Sequence, residues 1–212
     1  FNGRRDQGFH RCHTRVRRWC VTSTTARIGE DAHFMDAQQE FTAIQAAKAD
    51  PLAFTPLYSA YHAVIFRFIH RRTNNRDLSA DLSQQTFLKA LLALPRYESR
   101  GLPFRAWLYR IALNEVRMHW RKKKEAVMDL SWAEVRELSG DLGVLEVDED
   151  LQRLAKCLSR LPAEKARLIE LRYIDGLSFI EVGQVLGIAE DAAKMRVPRV
   201  LANLRQYLGS RT

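Results

Sequence analysis

Cysteine is scarce in this chain, with three among 212 residues (Cys12, Cys20 and Cys157). An odd, sparse set cannot build a disulfide framework and points to a reducing compartment. His10, Cys12, His13 and Cys20 lie close together, but their spacing fits no zinc-finger pattern, and no metal is expected. Glycine and proline are sparse, 10 and 6 residues, and clusters of β-branched residues are few. Both absences argue against a sheet and for an all-α protein. No apolar run reaches the ~18 residues that would span a membrane. His, Asp and Glu form no nucleophile, base or ligand set at a recognisable spacing, so neither an enzyme nor a cofactor is expected. No internal repeat is visible.

The charge of +9 is unevenly spread. Residues 51–124 carry 14 Lys/Arg against 4 Asp/Glu, residues 125–150 carry 1 against 9, and residues 151–212 carry 11 against 6. Two basic blocks flank an acidic one, and basic blocks suit either a nucleic-acid partner or a solvated face. Residues 1–34 hold seven arginines and no helical period, and the first methionine is Met35. They read as a disordered extension or as translated sequence ahead of the true start, with a transit peptide as the less favoured reading.

From Met35 onward the chain reads as successive helices. The first follows Met35 directly. Asp50-Pro51 starts a second with Leu57, Tyr58, Tyr61, Ile65 and Phe68 at helical spacing, and Asn74-Asn75 ends it. A third covers 77–93 and stops at Pro95. A fourth covers 103–123, with Phe104, Trp107, Leu108, Ile111 and Ala112 as its buried stripe. Beside that stripe, Arg110, Asn114, Arg117 and Arg121 share an arc of roughly 60°. Such a line can follow a phosphate backbone and read a base edge. The loop before it carries Tyr97 and Arg100 and can either stack an unpaired base or simply connect two helices. Residues 125–150 read as an acidic linker with one weak helix, and Pro162 splits a helix pair at 150–161 and 163–174. Residues 176–205 scan as a helix-turn-helix. Ser178 and Glu181 form a capping box, Gly187-Ile188 make the turn, and Lys194, Arg196 and Arg199 face outward on the second helix.

The order DLSQQTFLKA (81–90), PFRAWLYRIALNEVRMHWRK (103–122) and LPAEKARLIELRYIDGLSFIEVGQVLGIAED (161–191) resembles a bacterial sigma factor of the sigma-70 family, in its extracytoplasmic-function (ECF) group. The resemblance spans about residues 36–208 and implies two small helical domains joined by the acidic linker. Region 2 would occupy 36–124, the linker 125–149 and region 4 150–210, with 1–34 as the extension. It also implies RNA polymerase core (the β′ clamp and β subunits) and promoter DNA as partners, with an anti-sigma factor common in the group and no membrane insertion. The expected location is the bacterial cytoplasm.

Asp81, Gln84 and Phe87 match the group's D-x-x-Q-x-x-F. Asp81, Gln84 and neighbouring Gln85 would face the polymerase, with Phe87 in the core. Tyr97, Arg100, Arg110, Asn114, Arg117 and Arg121 would melt and read the −10 element, with Trp107 in the core. Lys194, Arg196 and Arg199 would meet the −35 element, Arg196 in the groove or alongside it, while Ala193, Val197 and Leu204 are core. The linker would either imitate nucleic acid in the RNA exit path or act as a solvated tether. Two departures stand out. Gly183 replaces an alanine at a helix cost of about 1 kcal/mol. Pro198 lies inside the recognition helix, where it removes a hydrogen bond at roughly 3 kcal/mol or bends the helix. Asp191, at the start of that helix, would repel phosphate unless it reads a cytosine. The rival reading is a helix-turn-helix regulator acting without core polymerase, which predicts a dimer on a palindromic site.

Overall fold

The computed structural model describes residues 35–99, 101–120, 132–142 and 148–209, and every regular element among them is helical. Helix α1 (Ala37–Ala49) opens on Asp36, whose carboxylate accepts from the Gln39 amide while the Gln39 side chain accepts from the Asp36 amide. Asp50 ends α1 and caps the tight turn Pro51–Phe54 through the Leu52 amide, which leads into α2 (Thr55–Thr73). Asn74 stops α2 by adopting a left-handed conformation, φ 45°, which asparagine tolerates better than most residues. Asn75 then accepts from the Leu78 amide and starts α3 (Arg76–Ala93). The two asparagines thus reverse the chain within two residues.

α2, α3 and α4 (Phe104–Trp120) pack on one another, and α1 lies against the start of α2. Leu57, Tyr61, Ile65 and Phe68 of α2, Leu82 and Phe87 of α3, and Phe104, Leu108 and Ala112 of α4 are all buried. Each large apolar side chain removed from water contributes about 1.5–3 kcal/mol before ordering costs. Phe87 is core as expected. Trp107 is only half-buried, edging onto Tyr97 and Phe104.

The second half contains α6 (Asp148–Ser159), α7 (Ala163–Ile169), α8 (Phe179–Leu186) and α9 (Glu190–Gly209), with α5 (Trp132–Leu142) preceding them. A wider π-type turn, Glu170–Ile174, prolongs α7. α9 packs on α6, α7 and α8, and Ala193, Val197 and Leu204 are fully buried in that packing. Ser178 and Glu181 close the expected capping box, and Gly187 ends α8 at φ 72°.

The structure refines three sequence expectations. The acidic linker holds a full helix, α5, whose Val135, Leu138 and Leu142 are buried against α6 and the π-type turn. Apolar residues three and four apart give even an acidic segment a face to bury. α9 is helical straight through Pro198, whose side chain is exposed. Gly183 is more than a tolerated cost: a Cβ there would lie 2.8 Å from the Ile188 carbonyl oxygen, so the turn packs directly on its backbone.

Candidate polymerase and nucleic-acid interface

On α3, Asp81, Gln84 and Gln85 are all exposed. Leu88 and Leu92 continue the same stripe, at i+7 and i+11 from Asp81, and are also open to solvent, 56% and 72%. They adjoin an apolar groove lined by Pro51, Leu52, Tyr58, Phe87 and Leu91. Sequence reading found the polar half of this face. It missed the leucines because an exposed leucine has the same periodic signature as a buried one.

On α4, Arg110, Asn114 and Arg117 are exposed beside the buried stripe, as their spacing implied. Arg121 and Arg100 lie outside the described residues, as do Cys12, Cys20, His10 and His13. Tyr97 departs from expectation. It is 7% exposed, its ring meets Phe104 and Trp107, and its carbonyl accepts from the Lys48 ammonium at 2.6 Å. Burial, then the nearby Glu40 charge, pushes its hydroxyl pKa up to about 12. In this arrangement Tyr97 is a core residue of the loop, because the aromatic cluster covers the face that a base would need.

On α9, Lys194, Arg196 and Arg199 are exposed. The Lys194 ammonium lies 2.7 Å from Glu190 and 3.9 Å from Asp191, so the acidic start of the helix is partly balanced on the helix itself. The tertiary structure also unites residues that the sequence assigns to separate tasks. Arg117 of α4 and Arg196 and Arg199 of α9 line one cleft of about 440 Å³, together with Lys165, Arg167 and Glu164 of α7.

That cleft exists because α4 lies against α8, and a charged seam runs beneath the contact. Arg71 at the end of α2 donates to Glu170 at 2.8 Å, to Asp175 at 2.6 Å and to Glu134 of α5 at 2.9 Å. Arg72 grips both oxygens of Glu170. The Tyr109 hydroxyl donates to Asp175 at 3.0 Å, and Arg105 of α4 pairs with Glu181 at 2.6 and 3.0 Å. Burial alone would raise the Glu170 carboxyl, but Arg72 and Arg71 outweigh it and hold the pKa below its usual value. Asp175 goes the other way. Burial, with the Glu170 charge nearby, raises it against the pull of Arg71. No local pattern announces this seam, since its partners lie 63 to 104 residues apart.

The chain divides in the same place when set beside known proteins. Residues 57–126 match Sigma-70 region 2, and residues 151–204 match Sigma-70 region 4. It is 32% identical over 167 residues to the ECF RNA polymerase sigma factor BldN of Streptomyces coelicolor, covering 76% of this chain and 62% of that protein. Against the ECF RNA polymerase sigma factor SigW of Bacillus subtilis it is 31% identical over 176 residues, covering 77% of this chain and 93% of SigW. Among solved structures, CnrH in complex with the cytosolic domain of CnrY aligns with TM-score 0.56 and 26% identity, over 82% of this chain and 98% of that one. The sigma factor RpoE, in complex with the anti-sigma factor NepR from Bartonella quintana, shares the fold with TM-score 0.52 and 22% identity, over 75% and 98%. With both regions present in order and relatives above 30% identity across most of its length, the chain belongs to the ECF group of sigma-70 RNA polymerase sigma factors.

Proposed function

We propose that the protein binds core RNA polymerase and directs initiation at promoters by reading a −10 and a −35 element. The observation that carries this reading is the division of exposed faces among three helices. The α3 stripe of Asp81, Gln84, Gln85, Leu88 and Leu92 suits docking to the polymerase clamp, having polar groups for register and leucines for burial. Arg110, Asn114 and Arg117 on α4 suit the −10 element, together with Arg121 and Arg100 as the sequence pattern implies. Tyr97 takes part only if the loop rearranges. Lys194, Arg196 and Arg199 on α9 suit the −35 element, entering or flanking a major groove. Region 2 then corresponds to 36–124, the acidic linker to 125–149 and region 4 to 150–210. The likeness to CnrH, solved in complex with the cytosolic domain of CnrY, supports a protein partner for this chain as well, which the family resemblance makes an anti-sigma factor. The chemistry of transcription stays with the polymerase, and this chain supplies placement.

Run-off transcription with purified core polymerase, comparing the natural chain with Asp81→Arg on a genomic fragment library, tests the reading. Promoter-specific transcripts that vanish with Asp81→Arg support it together with its docking face. Tight binding to duplex DNA without core, and no transcripts with it, would favour the plain helix-turn-helix regulator.

A further inference from the structure

Helix α1 reaches the loop between α3 and α4 at both of its ends. The Lys48 ammonium donates to the Tyr97 carbonyl at 2.6 Å, where the loop begins. Glu40, two turns earlier on α1, accepts from the Phe104 amide at 2.9 Å, where the loop ends and α4 starts. Its other oxygen accepts from the Tyr61 hydroxyl. The Phe104 amide is one of the donors that a helix start leaves without an internal partner, and a carboxylate there also meets the positive end of the helix dipole. Lys48 and Glu40 are both half-buried, so these charge-assisted bonds are partly sheltered from water.

Between the two ties the loop stands open. Tyr97 and Phe104 are buried, and their rings meet 5.4 Å apart. The seven residue steps between them could reach about 24 Å if extended, so the loop must bow. Glu98, Ser99, Gly101 and Pro103 in the bow are exposed, and Arg100 belongs to it by sequence. The Leu102 amide donates to the Ser99 carbonyl at 2.7 Å, with Gly101 at φ 75°, and this turn shapes the crown. A cavity of about 390 Å³ is lined by Ser99, Leu102 and Pro103 of the loop and by Phe41 and Ile44 of α1. With that space between loop and helix, packing does not hold the crown down. Its place is set by the two tied ends.

We propose that Lys48 and Glu40 are positioning residues for reading the −10 element. They tie both ends of the 97–104 loop to α1, so that its crown meets an unpaired strand already in shape. A loop ordered beforehand loses less freedom on binding. The part in −10 reading rests on the function proposed above. The tie itself does not.

The test uses holoenzyme assembled from core polymerase and the full chain, with Lys48→Met and Glu40→Ala to cut each tie. Lys48→Arg keeps a charged donor, and Glu40→Gln keeps an acceptor. The probe is a labelled single-stranded oligonucleotide carrying the −10 segment of a promoter recovered in the run-off screen, set against the same strand with that segment permuted. Lys48→Met and Glu40→Ala should each weaken binding of the −10 strand roughly tenfold, the ordering cost of a released loop. Affinity for core and for a duplex carrying only the −35 segment should not change, and Lys48→Arg and Glu40→Gln should bind like the natural chain. Hydrogen exchange on the free chain should show faster exchange of the Leu102 and Phe104 amides in the two cut variants alone. Unchanged binding of the −10 strand would overturn the positioning role, and so would an equal loss on the −35 duplex and on core, which marks general destabilisation. If the natural holoenzyme does not distinguish the −10 strand from the permuted one, the −10 reading fails and takes the positioning role with it. Hydrogen exchange still decides the tie, and unchanged exchange at both amides would overturn it.

Discussion

Arginine occupies two opposite settings in this molecule. Arg71 and Arg72 end α2 enclosed by Glu170, Asp175 and Glu134, whereas Arg110, Arg196 and Arg199 stand on open helix faces. An open guanidinium keeps its water and can exchange it for phosphate at small cost. An enclosed one has already made that exchange with carboxylates of its own chain. The first kind serves an outside partner, and the second sets how the two halves meet. Net charge does not separate them, since both kinds count equally toward +9.

The strongest way to break this contrast is at the enclosed carboxylate. Glu170→Gln should cost about 3–5 kcal/mol in urea unfolding, because it leaves two guanidinium groups without their shared anion. Asp175→Asn should cost clearly less. Its burial already disfavours the charged form, and an amide oxygen can still accept from Arg71 and Tyr109. The two carboxyls also differ in their pH signatures. Asp175 has a raised pKa, so protonating it as pH falls favours the folded form. Glu170 has a lowered pKa, so its contribution is present above the ordinary carboxylate value of about 4.3 and is lost as pH falls through its lower native value. Urea melts of the two variants between pH 7 and pH 3 should each lose one of these opposing slopes.

On the open side, Asn114→Ala should cost about 1–3 kcal/mol of discrimination at one promoter position, measured by competition between −10 variants in open-complex formation. A uniform loss across all promoters would assign Asn114 to the backbone instead. Gly183→Ala opposes two effects. Alanine improves helix propensity by about 1 kcal/mol, but its Cβ meets the Ile188 carbonyl oxygen at 2.8 Å, and overpacking of that kind costs about 1–3 kcal/mol. A small net loss of thermal stability is expected, and a gain would show that the turn gives way freely. The smallest effect belongs to the exposed pair of Lys194 with Glu190, where side-chain accessibilities are 50% and 40%. Glu190→Gln should leave the unfolding midpoint unchanged within error, as exposed pairs usually do.

Most of the helix boundaries were legible from capping chemistry. Ser178 with Glu181, Asn74-Asn75 and Gly187 each mark an end through bonds to residues two to four positions away, which a linear reading can see. The exposed candidate residues on α4 and α9 followed from periodicity for the same reason, whereas those on α3 came from the family resemblance. The burial of Tyr97 was not legible, because an aromatic residue in a loop looks identical whether it faces solvent or is covered by Phe104 and Trp107 from the next helix.

Local interactions, within about one helical turn, settle which segments are helices, where they stop and which face of each is apolar, and the order of residues carries all of that. The meeting of Arg71 with Glu170 and Asp175, and of Arg117 with Arg196 and Arg199, joins positions up to 104 residues apart. Nothing in the spacing of those residues selects one partner over another. Only the packing of α4 against α8 brings them together, and around Arg71 it also removes the water and so makes the choice.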